Sequence, residues 1–241
     1  MKKQYIQTLF LSVALLSTSL ILQGCDNPAD SDSDDDRTEE TDNNWPVDTT
    51  TQVIEVTSPE TGRIWMDRNL GAGRAATSST DAQAFGDLYQ WGRAADGHQA
   101  RTSATTTSTS STNQPGHGDF IIESTSDWRS GQNANLWQGS DGINNPCPDK
   151  FRLPTTEELD AERQSWDSNN ATGAFDSPLR FTLSGGRDYD DGSITRAGEF
   201  GYYWTSTVDG VVSRIMVFAD ATAFMDLSRR AQGRSVRCIK D

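Results

Sequence analysis

Hydrophobic and polar positions alternate in two short stretches near the start of the part of the chain that is rich in aromatic residues. These stretches are Thr51–Val56 and Arg63–Leu70, and the segment Ser58–Gly62 between them has the residues of a turn. We therefore predict a pair of strands joined by this turn. A weaker pattern with helical spacing covers Asp81–Trp91, where Gly86 interrupts it.

Residues 155–166 give the clearest helix signal in the chain. Thr155 and Glu158 have the spacing of a capping box at its start. One face is predicted to carry Leu159, Arg163 and Trp166. The segments that then favour strands are Pro178–Ser184, Gly201–Thr207, Val211–Ala219 and Gly233–Lys240. Short strands with one or two helices and long loops indicate an α+β domain.

Charge is distributed unevenly along the 241 residues, whose formal net charge is −14. Residues 26–44 hold nine acids and one base, so this short segment alone carries −8. Leu, Ile, Val and Phe make up only about 17% of the chain, which is typical of disorder, yet all seven Trp lie in residues 45–241. The composition and net charge of the whole chain therefore average over an acidic segment and a globular one. So acidic a chain lacks the basic surface that nucleic-acid binding requires.

The N-terminus has the pattern of a secretory signal. Lys2 and Lys3 precede the uncharged, Leu-rich run Thr8–Leu22. The residues Leu22–Cys25 resemble a bacterial lipobox, in which the cysteine is lipidated and the chain is cleaved before it. We predict a lipoprotein signal peptide over residues 1–24 and a lipid anchor to the membrane on Cys25. The alternative is an uncleaved signal anchor.

Residues 25–50 are predicted to form a disordered acidic tether between the anchor and the globular domain 51–241. This segment has too little apolar surface to bury, and its like charges repel one another. An Asp directly after the lipidated cysteine resembles an inner-membrane retention signal, whereas an early acidic run resembles a surface-export signal. We expect a cell-envelope protein, at the outer membrane or cell surface rather than at the inner membrane.

Two cysteines remain once Cys25 is assigned to lipid. Cys147 and Cys238 would then lie in a compartment that permits disulfides. We expect them to be joined, which would close a loop of about 92 residues. The alternative is a pair of buried free thiols.

A series of ordered blocks resembles one protein family. The blocks are Gly62–Gly71, Phe85–Arg93, Asp96–His98, Pro115–Phe120, Asn145–Pro148, Phe151–Thr155, Gly201–Thr207 and Ser235–Asp241. Together they resemble the Fibrobacter succinogenes major paralogous (FISUMP) domain over nearly all of residues 51–241. The resemblance implies a secreted or lipid-anchored envelope module.

Two of these blocks are also similar to segments of the formylglycine-generating enzymes. They are the Arg-Leu-Pro-Thr start of the helix and the terminal Val-Arg-Cys segment. This similarity implies a C-type-lectin-like fold in which a disulfide fastens the C-terminal strand. Those enzymes hold copper with a pair of cysteines, but Cys147 and Cys238 match structural positions instead.

The chain offers few groups for catalysis. It has no G-x-S-x-G, HExxH or P-loop pattern. Its two histidines, His98 and His117, could bind a metal with Asp96 or Asp119, although an ordinary loop role is the simpler interpretation. We therefore predict no enzymatic activity. The alternative is an envelope enzyme that acts on glycans or modifies proteins.

A binding role requires fewer specific chemical groups than catalysis does, and binding is the function that we predict. Aromatic faces and carboxylates hold sugars, and Trp128 and Trp137 are expected to be the exposed aromatics. The cluster Asp188, Asp190 and Asp191 could supply oxygen ligands, with calcium as the ion, or could simply form a charged turn. The predicted module is non-catalytic and binds polysaccharide or another surface ligand.

The lipid anchor is tested by Cys25→Ala. We expect this substitution to abolish incorporation of a labelled fatty acid, because the cysteine sulfur is the atom that the lipidation reaction modifies. Mass spectrometry of the labelled chain measures the change. A Cys25→Ala variant that still labels would show that the lipobox prediction is wrong.

Overall fold

The computed structural model describes residues 50–122 and 126–241, which all belong to one compact unit. Cys25, the predicted signal peptide and all of the predicted tether except residue 50 lie outside the described residues. Within the described part, no helix is both long enough and apolar enough to span a bilayer.

The described chain is built mainly from strands. In chain order they are β1 (Glu55–Thr57), β2 (Ile64–Met66), β3 (Tyr89–Gln90), β4 (Thr105–Thr106), β5 (Phe120–Ile121), β6 (Phe151–Arg152), β7 (Gly186–Arg187), β8 (Ile194–Thr195), β9 (Gly201–Asp209), β10 (Val212–Ala219), β11 (Thr222–Arg229), β12 (Gly233–Arg234) and β13 (Ile239–Lys240). The α-helices are α1 (Thr156–Gln164) and α2 (Ala171–Asp176), and a single 3-10 turn covers Ala82–Ala84.

These strands form four sheets in the described residues. The strand orders are β1-β2-β13-β6, β11-β10-β9, β3-β12-β7-β8 and β4-β5. The meander β9-β10-β11 has the longest strands, of eight or nine residues, and α1 and α2 both contact it. The pair β4-β5 is parallel, whereas the other ladders are antiparallel.

The C-terminal segment 233–241 links three of the sheets. Its first strand, β12, lies between β3 and β7, and its last strand, β13, lies between β2 and β6. Between them, Ser235 forms a parallel bridge with Tyr203 of β9. Cys238 is joined to Cys147 in a disulfide with Cα atoms 5.9 Å apart, which confirms the predicted pairing.

The core is formed largely by aromatic side chains. One cluster packs Trp65, Trp166, Phe181, Tyr203 and Phe218 around the buried face of the helices. A second cluster surrounds the disulfide with further Trp side chains. Ring contacts such as Phe181 against Tyr203, at 4.9 Å between centroids, replace much of the aliphatic packing that the composition lacks.

Helix α1 starts as predicted. The Thr155 side chain accepts a hydrogen bond from the Glu158 amide, and the Glu158 carboxylate accepts one from the Thr155 amide, which completes the capping box. Leu159 is fully buried in the core below the helix. The buried face carries Glu162 as well, while the predicted face residue Arg163 is only partly buried.

The predicted class, an α+β domain with a C-type-lectin-like arrangement, is wrong. The described residues form a sheet-rich fold with only two helices, of nine and six residues. The prediction also missed β11, because its apolar positions do not alternate cleanly: Phe224 and Leu227 are both exposed. A strand whose apolar side chains face solvent carries little of the period-two signal that identifies strands.

Other predicted elements are shorter than expected. The helical structure in 81–91 is limited to the 3-10 turn and β3 follows it, since Gly86 takes a φ of +67° and a side chain there would collide with the Leu70 carbonyl. The segment 233–240 forms two separate strands instead of one, and 178–184 forms none. Tertiary packing decides these local conformations more than pattern does.

The disulfide is predicted to contribute strongly to stability. Cys147 and Cys238 are 91 positions apart, so their link removes a large loop entropy from the unfolded chain. The double variant Cys147→Ala/Cys238→Ala should lower the free energy of unfolding by about 4 kcal/mol. Urea unfolding measures the loss, and the reduced native chain is the control that should match it. A loss below about 1 kcal/mol would contradict the entropic account.

Candidate functional site

The two tryptophans expected to be exposed are buried. Trp128 and Trp137 have no exposed surface, and their indole N–H groups donate to backbone carbonyls, Trp91 at 2.7 Å and Asn144 at 2.8 Å. The prediction that they are exposed is therefore wrong. A chain with few aliphatic residues uses these rings for its interior, and each polar edge finds a backbone partner there.

The acidic cluster belongs to the turn between β7 and β8. The Asp188 carboxylate accepts a hydrogen bond from the Asp190 amide at 2.8 Å, and the Asp191 carboxylate accepts one from the Ser193 amide at 2.8 Å. These bonds close the turn, so two of the three carboxylates serve the local backbone. In residues 50–122 and 126–241, no group of three or more His, Cys, Asp and Glu side chains is arranged to hold a metal ion.

The two histidines do not meet in a shared site. His98 is fully buried, its Nδ1 lies 2.6 Å from an Asp96 oxygen, and its Nε2 accepts a hydrogen bond from the Gln90 amide. Burial, and after it the charge of Arg93, lowers the pKa of His98 to about 4. His117 accepts a hydrogen bond from its own loop. Both ring nitrogens of His98 are thus engaged in structural contacts.

Two half-exposed aromatic residues, Phe200 just before β9 and Tyr202 on β9, do not offer free ring faces. The rings of Phe200 and Tyr202 stack with 5.6 Å between centroids and 5° between planes. Arg196 lies over the Phe200 ring, and Arg234 lies over the Tyr202 ring at 4.2 Å. Because the four side chains form one continuous stack, the ring faces that a sugar would use are already occupied.

A groove of about 580 Å³ lies between the β1–β2 turn and the exposed side of α1. Its walls carry Glu60, Thr61 and Arg63 from the turn and Glu157, Ala161 and Gln164 from the helix. Carboxylate, amide and hydroxyl groups therefore face a shared space. The small Ala161 lies on this helix wall between two longer polar side chains, Glu157 and Gln164.

The helix wall of the groove is held rigidly. Arg152 donates two hydrogen bonds to the Glu158 carboxylate, at 2.7 and 2.8 Å, and Arg63 lies 3.5 Å from the same group. Burial is the largest single influence and raises the pKa of Glu158, but the hydrogen bonds from Arg152 and the Thr155 amide, together with the charges of Arg152 and Arg63, hold the pKa below its ordinary value. Glu158 therefore stays ionised and serves the helix start.

A smaller pit of about 150 Å³ adjoins the groove, and the two share Glu60 and Ser165. It lies between the β1–β2 turn, the end of α1 and the end of α2. Its walls include Ser58, Pro59, Trp166, Asp167, Asp176 and Pro178. The pit thus combines prolines and an indole ring with carboxylates at its mouth.

Glu162 lies buried on the inner face of α1, next to Ser58 and Trp166 of the pit wall. It has no exposed surface, and neither of its carboxylate oxygens has a hydrogen-bond partner. Burial raises its pKa, and the nearby Ser58 hydroxyl and Trp166 indole lower it in part, although no hydrogen bond of normal geometry joins them. A buried group without partners is costly and requires an explanation.

The two carboxyl groups of α1 with shifted pKa values, Glu158 and Glu162, do not converge on one space. Hydrolysis of a glycosidic bond needs two carboxyl groups that both reach the bond. Glu158 is bound by Arg152, and Glu162 lies under Ser58 and Trp166. These two carboxyl groups therefore do not form such a pair.

The sequence of α1 contains a signal for this site. Leu159, Glu162 and Trp166 are spaced by three and four, so an acid lies on the apolar face of α1. A buried acid at such a position departs from the usual pattern, in which the inward face of a helix is apolar. The groove acids themselves could not be selected, because acids are common over the whole chain.

Comparison with protein-family models, curated proteins and solved structures found no match to this chain. The resemblance to the FISUMP domain therefore stays a prediction.

Glu162→Gln tests the cost of the buried carboxyl. Burial raises the pKa of Glu162 in the folded chain above that of a glutamate in the unfolded chain, which is about 4.3. Ionisation of Glu162 therefore destabilises the fold as the pH rises above this lower pKa. At lower pH the carboxyl is protonated in both states and the cost is absent. We expect Glu162→Gln to raise the free energy of unfolding by on the order of 1 kcal/mol at about pH 7 and by less at about pH 4.

The matched control is Glu157→Gln on the exposed side of the same helix, which should change stability little at either pH. Urea unfolding of wild type and both variants at the two pH values gives the change in the free energy of unfolding for each variant at each pH. A Glu162→Gln variant that is less stable than wild type at neutral pH would show that the ionised carboxyl stabilises the fold.

Proposed function

We propose that this chain is a lipid-anchored cell-envelope protein whose domain binds a polysaccharide in the groove between the β1–β2 turn and α1. The groove carries this proposal, because its carboxylates, amide and hydroxyls face one open space. The envelope location rests on the signal-like N-terminus and on Cys25 in its lipobox-like setting. The outer membrane or cell surface would place the groove where polysaccharides are found.

The helix side of the groove suits an extended, hydroxyl-rich ligand. Glu157, Ala161 and Gln164 follow one another at spacings of four and three, so they form one stripe about 10 Å long on α1. Glu157 is exposed and makes no hydrogen bond or ion pair among the described residues. Its oxygens are therefore free to accept from sugar hydroxyls, while the small Ala161 allows close approach.

A binding role is favoured over the enzymatic alternative. Glu158 and Glu162, the two carboxyls of α1 with shifted pKa values, do not share the groove. Cys147 and Cys238 are joined to each other, so neither offers the thiolate that copper chemistry of the formylglycine-generating type requires. The proposed module holds its ligand without transforming it.

Ala161→Trp tests the groove by filling it. The full chain, held in detergent, is passed over immobilised cellulose, xylan, chitin and peptidoglycan, with and without calcium. We expect retention on at least one of them, and we expect Ala161→Trp to weaken it by at least about tenfold, because the indole occupies the ligand's space.

The matched control is Ala221→Trp, which adds the same ring at the exposed β10–β11 turn and should bind as the wild type does. Equal binding by Ala161→Trp and wild type would remove the groove as the site. Absence of retention on every polysaccharide would overturn the binding function.

A further inference from the structure

We propose that pH controls the groove through Glu162: the protonated side chain keeps the β1–β2 turn closed on α1, and the ionised side chain lets the turn open. This inference rests on the proposed function, because the turn is one wall of the groove that would hold the polysaccharide. Binding would be strongest at acidic pH and would weaken as Glu162 loses its proton.

Glu162 lies where the turn packs on α1. It belongs to this helix, has no exposed surface, and is next to Ser58, the first residue of the turn. Trp166, just beyond the end of α1, is its second polar neighbour. A change in the charge of this one carboxyl group therefore acts at the contact between the two walls of the groove.

The turn is closed by hydrogen bonds of its own. The Ser58 amide donates to the Arg63 carbonyl and the Gly62 amide donates to the Ser58 carbonyl, both at 2.9 Å. The ion contact that joins this segment to α1, between Arg63 and Glu158, spans 3.5 Å, and Arg63 is half exposed there. Such a contact contributes little, so packing around Ser58 holds the turn on the helix and the turn can move as a unit.

The closed arrangement favours the neutral form of the carboxyl group. Neither oxygen of Glu162 has a hydrogen-bond partner, and the same is true of the Ser58 Oγ and the Trp166 Nε1. Burial is the largest influence and raises the pKa of Glu162, while the Ser58 hydroxyl, the Arg237 charge and the Trp166 indole lower it only in part. Ionisation beneath the turn therefore costs free energy, and access of water to the carboxylate would reduce this cost.

The groups around Glu162 do not neutralise its charge. From the turn and the helix end it meets Ser58 and Trp166, which carry no charge. Arg237, from the segment 233–241, is the charged group that acts on it. The Arg237 guanidinium already donates to the Asn69 side chain, at 2.8 and 3.1 Å, and to two backbone carbonyls. Within the described chain it forms no ion pair with Glu162.

A path for water lies beside the turn. The pit of about 150 Å³ has Ser58, Pro59 and Trp166 in its walls, so open space reaches both polar neighbours of Glu162. A small outward movement of the turn would extend the pit to the carboxylate. The same movement would change the groove, because Glu60 of the turn lines both spaces.

Proton linkage gives the direction of the pH effect. The pKa of Glu162 is higher in the closed arrangement, since opening brings water to the carboxyl group. The closed arrangement therefore binds the proton more strongly. Its advantage is fully present below the pKa of the open arrangement, about 4.3 for a glutamate in water, and is lost as the pH rises through the raised pKa.

Hydrogen exchange tests the movement without any polysaccharide. The full chain in detergent and its Glu162→Gln variant, whose amide cannot ionise, are exchanged from about pH 4 to about pH 8. Mass spectrometry follows the peptide that carries the Ser58 and Gly62 amides, and comparison at equal pH cancels the chemical dependence of exchange on pH. We expect equal rates near the lower limit and exchange at least about tenfold faster in wild type near the upper one.

Two further variants serve as controls. Glu162→Met removes the ionisable group and should match Glu162→Gln, whereas Asp220→Asn, at the exposed β10–β11 turn, should match wild type. Equal rates in wild type and Glu162→Gln at every pH would overturn the proposal. Slower exchange in wild type near neutral pH would also overturn it, because the ionised carboxylate would then hold the turn by accepting from Ser58 and Trp166.

Retention on immobilised cellulose, xylan, chitin and peptidoglycan separates this proposal from the proposed function. We expect retention of wild type to weaken at least about tenfold between about pH 4 and about pH 8, and Glu162→Gln to lose much less. If wild type and Glu162→Gln show the same pH dependence of retention, the groove binds and its control by Glu162 is refuted. If none of the four retains the chain, the groove function is refuted, and the exchange rates alone decide whether Glu162 moves the turn.

Discussion

The position of the C-terminal segment between three sheets is the constraint on which the rest of the structure depends. Residues 233–241 supply the strand that joins β3 to β7 and the strand that joins β2 to β6, and Cys238 fastens this segment to Cys147. Arg237 lies fully buried in the same segment and donates to the Asn69 side chain, at 2.8 and 3.1 Å. Because the last residues of the chain are central, the fold cannot be completed before the whole domain is present.

A core with few aliphatic residues explains why so many polar groups are buried. Burial of a tryptophan or an arginine costs free energy unless its polar atoms are bonded. Trp204 donates to the Tyr89 carbonyl at 2.7 Å, and Arg187 lies 4.2 Å over the Phe120 ring while it donates to loop carbonyls. Directional bonds of this kind specify one arrangement, which is how a chain poor in Leu, Ile and Val obtains a defined interior.

The sequence carried those parts of the structure that local chemistry determines. The capping box at Thr155, the turn at 58–62 and the disulfide followed from residue types and spacing. The fold class and the burial of Trp128 and Trp137 could not be predicted in this way, because both depend on which distant segments of the chain come into contact. Backbone carbonyls satisfy each indole: that of the distant Trp91 for Trp128, and those of the distant Arg93 and the nearby Asn144 for Trp137. Long-range contacts of this type leave no pattern in the chain.

Helix α1 joins the stability of the fold to its proposed function. Its inner face packs Leu159 and Trp166 in the core, and its outer face forms one wall of the groove. Glu162 lies on the inner face without a bonded partner, so this helix carries a cost that an apolar residue would avoid. Where a fold breaks its own rules at one place, that place is expected to serve recognition. Glu162 is such a place, because the Ser58 hydroxyl, the Arg237 charge and the Trp166 indole offset only part of the cost of burying its carboxyl group.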